Sequence, residues 1–334
     1  MTDRATVSAR FLSRAGWGDA QRQFLAGDAS DRSYDRLTRG GETAVLMDAP
    51  PGKGDDPADF LRVAEHLLRL GLSAPRCLEK DLEHGFLLLE DLGDGIFARL
   101  IAADPALEPL LYQGATDVLL ALQSRAPLEG LPNLSAADWA EAACLGLDWY
   151  RRAATGDIGD RDGLRAALED LIAKHADGPR VMILRDYHAE NLLWLPTRKS
   201  MAQVGVLDFQ LAQMGQPGYD LVSLLQDARR DVSRETQAAM IRRFKTATGA
   251  SDGFDAAYSV LGAQRALRIL GIFTRLCLRS GKSGYLRLMP RVWAQLQENL
   301  AHPATAPLAR LCQTLLPAPT ADILARIGAK CPSP

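Results

Sequence analysis

The chain has 334 residues, 47% of them hydrophobic and 24% charged, which supplies a buried core and length for about two domains. Its 39 basic and 41 acidic side chains leave a formal charge of −2, so no overall basic field exists to hold nucleic acid or an anionic membrane. The N-terminus MTDRATVSARFLSRAG has no secretory apolar stretch and no apolar run approaches the roughly 20 residues of a membrane span, so the expected setting is the cytoplasm. Cys77, Cys144, Cys277, Cys312 and Cys331 are far apart and never form CxxC, and they read as thiols of a reducing compartment.

Between Gln21 and Leu92 the pattern is short and β-like. Ser33–Thr38, Thr43–Met47, Ala74–Leu78 and Phe86–Leu89 are brief runs bounded by Gly, Pro or charged residues. One helix interrupts them: after the turn Gly52-Lys53-Gly54-Asp55-Asp56-Pro57, the residues Phe60, Val63, Ala64, Leu67 and Leu68 recur at i, i+3, i+4 spacing until Gly71. After Asp94 helical periodicity dominates, over Leu107–Leu122, Ala136–Ala154, Asp162–His175, Gly218–Asp231 and most of Arg234–Leu300. A single β-like island, Arg180–Leu184, Asn191–Leu195 and Val204–Leu207, breaks that helical half.

The residues that carry chemistry stand at the ends of the island. Ile183-Leu184-Arg185-Asp186-Tyr187-His188-Ala189-Glu190-Asn191 is followed by Val206-Leu207-Asp208-Phe209-Gln210, with Asp186 and Asn191 five apart across a loop. Phosphoryl transfer needs a carboxylate to orient and deprotonate the attacking hydroxyl, and oxygen ligands to hold magnesium on the nucleotide phosphates. Asp186 suits the first task, while Asn191 and Asp208 suit the second, since Mg2+ takes hard oxygen donors and keeps several waters. D-x4-N alone is a weak pattern and so is D-F; their order after two apolar runs, inside a helical half and downstream of a β-rich one, gives the pair its force.

Arg185-Asp186-x4-Asn191 resembles the H-R-D-x4-N loop of protein kinases and the H-G-D-x4-N loop of aminoglycoside phosphotransferases and choline kinases, and Asp208-Phe209-Gln210 resembles their D-F-G or D-W motif. Gly218-Tyr219-Asp220-Leu221 is similar to the phosphotransferases' D-L-A segment, whose aspartate braces the catalytic loop, which implies a structural role for Asp220. Gly27-Asp28-Ala29-Ser30, Leu46-Met47-Asp48-Ala49-Pro50-Pro51, Phe86–Asp94 and Arg185-Asp186-Tyr187-His188 resemble the bacterial anomeric amino-sugar kinases of cell-wall recycling. The resemblance implies an α+β, protein-kinase-like bilobal fold: a small β-rich nucleotide-binding lobe over residues 1–92 and a larger, mainly helical catalytic and acceptor-binding lobe over 93–334. It further implies ATP and Mg2+ as cofactors and a small hydroxylated acceptor, an amino sugar such as N-acetylmuramate or N-acetylglucosamine, phosphorylated at the anomeric hydroxyl. Aminoglycosides and other small alcohols are the alternative acceptors.

The pattern also departs from kinases. Gly27–Tyr34 occupies the place of the nucleotide-covering loop, with Ser30 as a phosphate contact, but it has one glycine where kinases have three, and an ordinary hairpin turn is the competing reading. The strand lysine that pairs with the phosphates is missing: the chain has seven lysines and Ala44-Val45-Leu46-Met47-Asp48 contains none. Arg36, held on a strand and able to grip phosphate with two bonds, is the first candidate to replace it, with Arg32 and Lys53 behind. Glu65, on the helix where kinases place the lysine's partner, is then a surface residue. Glu90-Asp91-Leu92-Gly93 reads as the hinge, where the carbonyl of Glu90 and the N–H of Leu92 would bind adenine. These departures keep open a competing reading, a catalytically weak nucleotide-binding module, which the retention of Asp186, Asn191 and Asp208 together opposes.

Two motifs are set aside. Gly281-Lys282-Ser283 lacks the preceding strand and the upstream glycine of a P-loop, and His188 is expected to pack or to touch substrate rather than to act as base. Residues 251–334 carry ten Lys and Arg against four acids, Asp252, Asp255, Glu298 and Asp322, which disfavours a polycationic acceptor. Arg265, Arg268, Arg275 and Arg279 fall within about 80° of helical arc. They form either a solvated face or a stripe bordering an anionic acceptor.

Overall fold

The computed structural model describes residues 3–27, 32–250 and 253–332. In chain order its elements are α1 (Arg4–Arg14), β1 (Gln21–Gly27), β2 (Ser33–Arg39), β3 (Glu42–Asp48), α2 (Pro57–Arg69), β4 (Cys77–Asp81), β5 (Phe86–Glu90), α3 (Phe97–Ala103) and α4 (Glu108–Gln123). Helices α5 (Ala136–Ala143), α6 (Arg152–Thr155) and α7 (Arg161–His175) lead to the short strands β6 (Val181–Ile183), β7 (Leu192–Trp194), β8 (Val204–Val206) and β9 (Gln213–Gly215). Helices α8 (Tyr219–Leu225), α9 (Arg234–Thr248), α10 (Gly253–Ser280), α11 (Met289–Leu300), α12 (Ala306–Leu315) and α13 (Ala321–Gly328) follow.

Two compact units result, Met1–Leu128 with Ala189–Ala212, and Glu129–His188 with Gln213–Pro334. This division differs from a boundary at residue 92. The Trp194 N–H donates to the Gly95 carbonyl at 2.7 Å, and Ile96 bridges to Leu193, so the β7–β8 hairpin belongs with α3 and α4 in the first unit.

The first unit is built on an antiparallel sheet of order β1-β2-β3-β5-β4. Strand alternation assigns its two faces. Leu37, Ala44, Leu46, Phe86 and Leu88 form one core cluster with Phe11, Leu12 and Trp17, so α1 covers that face. Tyr34, Arg36, Val45, Met47, Leu87 and Leu89 belong to the opposite face by the same register. Each fully buried Leu or Phe contributes about 1.5–3 kcal/mol, which fixes the register, because a one-residue slip would exchange the two faces. Helix α1 escapes the sequence reading, although Phe11 and Leu12 sit four and five residues after Val7 on one face; three arginines among its 11 residues mask the apolar stripe. Helix α2 is as expected: Asp56 caps it by accepting the Ala58 N–H, and it buries Phe60, Val63, Ala64 and Leu67.

The second unit is organised around α10, a 28-residue helix with buried positions almost all the way round. The expected helix 136–154 is interrupted by a wider turn over Gly146–Arg151, at the place where it meets α10. Gly146 allows the approach, since a Cβ there would lie 2.8 Å from the Leu267 carbonyl oxygen. The expected helix 218–231 stops at Leu225, where Gln226 leaves helical geometry and Asp227 folds back to accept the Arg229 N–H at 2.8 Å. The long helical stretch after 234 divides at Gly249, which is left-handed (φ +64°), and again after Ser280, where Gly281 (φ +67°) begins the turn at Gly281-Lys282-Ser283. Among the described residues no helix is long and apolar enough to cross a membrane.

Gly271 tests the packing of α10. A Cβ at this position would run into the Leu145 carbonyl group. Helix propensity alone favours Gly→Ala by about 0.8–1 kcal/mol, whereas forcing apart two packed backbones costs typically about 1–3 kcal/mol. Gly271→Ala is expected to destabilise the protein, with a lower urea midpoint at unchanged m-value.

Candidate active site

In the first unit, the β7–β8 hairpin places two of the expected site residues side by side. Leu192 pairs with Val206, and just beyond that pair the Leu207 N–H donates to the Asn191 carbonyl at 2.9 Å. Asn191 Nδ2 then reaches Asp208 Oδ2 at 3.4 Å. Asp208 itself is left-handed (φ +56°), a conformation aspartate tolerates better than most residues. Phe209 points inward, fully buried, with its ring 4.9 Å from that of Phe60 on α2.

Two residues join this pair. The Arg32 guanidinium, 3% exposed, lies 3.5 Å from Asp208 Oδ1 and 3.6 Å from Asp55 Oδ2. Gln210 Nε2 donates to Asp208 Oδ1 at 2.8 Å and to Asp55 Oδ2 at 3.4 Å. Asp55 was not singled out by sequence, because one acid in a Gly-rich turn carries no periodic or motif signal. The ensemble offers hard oxygens from Asn191 and Asp208, a donor set that fits Mg2+. Among the described residues no group of three or more His, Cys, Asp or Glu is placed to hold a metal, so an ion here would keep waters or phosphate oxygens as ligands.

The other nucleotide-site expectations are distributed differently. Ser30 lies outside the described residues, as do Asp28, Ala29 and Asp31. Arg36 is held by the segment after β5: Nη1 donates to both Asp94 carboxylate oxygens at 2.9 and 3.0 Å, and Nη2 to Asp91 Oδ1 at 3.1 Å. Glu90 ends β5 and its carboxylate receives Arg198 Nη2 at 2.6 Å, while Arg198 Nη1 donates to Ser73 Oγ at 2.7 Å. Asp91 also accepts the Gly93 N–H at 2.9 Å, and among the described residues the Leu92 N–H makes no backbone hydrogen bond. Lys53 and Glu65 are exposed.

The second unit contains Asp186. Strand β6 ends at Ile183, and the next two amides turn onto one buried carboxylate: Asp220 Oδ2 accepts Leu184 N–H at 2.6 Å and Oδ1 accepts Arg185 N–H at 2.9 Å. Arg185 is left-handed (φ +71°), a strain of roughly 1–2 kcal/mol that persists because neighbouring groups hold both sides of the residue. Asp186 follows directly, its N–H donating to the Leu184 carbonyl at 2.9 Å. The expected bracing role of Asp220 is therefore what the geometry displays. Burial pushes the Asp220 carboxyl up to about 7, with the Asp186 charge adding to it, against the opposing pull of the two amides and Arg265.

His188 is 3% exposed, and Arg229 Nη1 donates to its Nε2 at 3.0 Å. Burial, then Arg229 and Arg265, hold its pKa well below the usual histidine value, so the ring is a neutral packing element. The arginine stripe on α10 does not share one environment. Arg265 is buried, Arg268 is half-buried, and Arg275 and Arg279 are exposed, with Arg279 over the Trp149 ring at 5.5 Å. Neither a solvated face nor a single anionic-acceptor stripe describes it, because α10 is enclosed on nearly all sides.

The family model of the phosphotransferase enzyme family matches residues 21–260, which takes in the sheet, Asp186, Asn191, Asp208 and the first eight residues of α10. The chain belongs to this phosphotransferase family. It is 38% identical over 347 aligned positions, covering 92% of this chain and 95% of the relative, to the N-acetylmuramate/N-acetylglucosamine kinase of Caulobacter vibrioides. Its fold is that of a choline/ethanolamine kinase family protein from Mesorhizobium loti (TM-score 0.63, 15% identity, 98% and 100% of the two chains). It is also that of the choline kinase LicA solved with AMP (TM-score 0.53, 14% identity, 97% and 98%). The kinase-like α+β fold expected from the motifs is thus established, and with it membership among small-molecule kinases, a class whose members bind ATP.

Replacing Asp220 with Asn puts an amide NH2 against one of the two backbone donors and is expected to cost about 1–3 kcal/mol. The pH dependence carries the same assignment. A carboxyl whose folded pKa is raised to about 7 binds its proton more tightly folded than unfolded, so its contribution falls as pH rises from about 4 to about 7 and is flat above. The stability difference between wild type and Asp220→Asn should shrink across that window; urea titrations from pH 4.5 to 8 check it, and a constant difference would exclude the raised carboxyl.

Proposed function

We propose that this protein is an ATP- and magnesium-dependent kinase of N-acetylmuramate and N-acetylglucosamine that phosphorylates the anomeric hydroxyl in the cytoplasm. The observation that carries the acceptor assignment is the likeness to a kinase of that name along nearly the whole chain. The charge balance supports it: ten Lys and Arg against four acids over residues 251–334 disfavour a polycation.

In this reading, Asp186 orients the acceptor hydroxyl and takes its proton as the oxygen attacks the γ-phosphorus. Asn191 and Asp208 would hold Mg2+, which would supply charge neutralisation at the phosphate oxygens. The half-exposed hinge receives adenine through the Glu90 carbonyl and the Leu92 N–H, with Ser30 as the phosphate contact. The sheet-bearing lobe takes the nucleotide and the helical lobe the acceptor, with α3, α4 and the β7–β8 hairpin counted in the first.

For the missing strand lysine, the arrangement favours Arg32 over Arg36. Arg32 sits beside Asp208, the residue assigned to the metal, whereas the two carboxylates that hold Arg36, Asp91 and Asp94, follow β5. A guanidinium beside Asp55 and Asp208 can present two parallel N–H groups to a phosphate bound at the same place.

Two tests follow from these roles. A side-by-side assay with both amino sugars, choline, homoserine and kanamycin should give magnesium-dependent turnover on the sugars, and Asp186→Asn should lower it about 10²–10⁴-fold with nucleotide binding retained. Turnover of kanamycin alone would overturn the acceptor assignment. Separately, Arg32→Ala should raise the ATP KM about tenfold or more and Arg36→Ala should raise it less; the reverse order would return the phosphate role to Arg36.

A further inference from the structure

Arg265 is an expensive residue to keep. It lies inside the second unit, 6% exposed, and the desolvation of a guanidinium at such a site is several kcal/mol before any partner is counted. Its partners are neutral: Nη1 donates to the Gln226 carbonyl and Nη2 to Ser223 Oγ, each at 3.0 Å. Burial accordingly lowers its pKa, with Tyr219, Asp186 and Asp227 opposing that shift. An apolar residue of similar volume would fill the space without that desolvation, so packing alone does not account for the arginine.

The partner Ser223 indicates what the charge does. Ser223 Oγ accepts from Arg265 and donates onward to the Arg185 carbonyl at 3.1 Å. Asp220 and Ser223 are three residues apart on α8, hence on one helical face, and they take the two ends of the same residue: Asp220 the Arg185 N–H, Ser223 its C=O. That residue is left-handed and immediately precedes Asp186. A serine hydroxyl bonded to only one partner rotates freely, whereas one that accepts from a fixed guanidinium has its proton directed at the carbonyl.

We propose that Arg265 is a positioning residue for Asp186, acting through Ser223 and the Arg185 carbonyl to hold the strained peptide from which the catalytic carboxylate departs. The proposal rests on the assignment of Asp186 as the base. It extends that assignment to a buried cation on α10 whose hydrogen bonds go to Ser223 and the Gln226 carbonyl. Because a displacement of about 1 Å at a reacting group can cost about 10²-fold in rate, loosening this chain should be read in kcat and not in nucleotide affinity.

The experiment uses Ser223→Ala, Arg265→Met and Arg265→Lys in the full-length protein, with two readouts. Hydrogen exchange of the amides of residues 184–186 reports the clamp independently of any acceptor. Steady-state kinetics with the amino sugars and ATP reports its catalytic consequence, on protein shown to be folded by its thermal transition. Expected are faster exchange at 184–186 in Ser223→Ala and Arg265→Met, kcat lowered about 10- to 100-fold with ATP KM within about twofold, and partial recovery of both readouts in Arg265→Lys. The mild Ser223→Ala keeps the proposal open to refutation should Arg265→Met fold poorly. Unchanged exchange in Ser223→Ala overturns the clamp, and faster exchange with wild-type kcat overturns the positioning role. Absence of wild-type turnover on the amino sugars would instead overturn the acceptor assignment, while the exchange result still decides the clamp.

Discussion

The Asp220 carboxylate is sealed from solvent and bonded to the N–H groups of Leu184 and Arg185, the first two residues after β6. A strand that simply stopped there would leave two buried amides without partners, at about 1–3 kcal/mol each, and a left-handed arginine would relax into the ordinary β region. The carboxylate prevents both. It lets the chain turn sharply at the point where Asp186 must depart in a defined direction, and burial of the acid at the start of α8 makes that direction a property of the second unit's core. The raised carboxyl and the buried Arg265 are two consequences of placing this polar junction inside a helical core rather than at its surface.

The pair Asn191 and Asp208 follows a different rule. Asn191 and Asp208 are adjacent because the β7–β8 pairing leaves each one step beyond the last paired residues, Leu192 and Val206. Three-residue strands cannot hold such a pair rigid alone. Phe209 and its contact with Phe60 anchor the strand end from one side, and Gln210 tethers Asp208 from the other. The absence of a lysine from β3 is intelligible in the same terms. Ala44 and Leu46 belong to the core under α1, and Met47 is fully buried on the opposite face, so the strand is committed to packing, while a cation enters from Arg32, just before β2.

The fold class was legible because it is written in periodicity: short alternating runs before residue 92, 3.6-residue patterns after it, and one β island between them. The positions of Asp186, Asn191 and Asp208 were legible because they stand at the ends of those runs. What could not be read is where helices stop for reasons of contact rather than propensity. Gly146 marks a break only once α10 is known to pass over it, and Gln226 only once Asp227 is seen to turn back on Arg229. Similarly, Arg36 and Arg32 are equivalent as letters, and only the positions of Asp91, Asp94 and Asp208 separate them. Helix α1 was missed because its apolar face is narrow and its arginines dominate the composition, although those same arginines tie it down, Arg4 to Asp48 and Arg14 to Asp81.

The arginines of α10 show how far a helical-wheel argument reaches. Angular spacing correctly puts Arg265, Arg268, Arg275 and Arg279 within one arc, but an arc has the same meaning along its length only if the surroundings do. Here the N-terminal end of the arc is interior and the C-terminal end is surface, so the same charge serves as a structural anchor at 265 and as a solvated group at 275. The acceptor argument therefore cannot rest on the stripe, but it survives on different residues. Two of the four acids after residue 250 are already neutralised by bases of α9, Asp255 by Lys245 at 2.9 Å and Glu298 by Arg234. The carboxylates that a polycationic acceptor would require are thus few, and two of them are engaged, so the charge balance of this region disfavours such an acceptor.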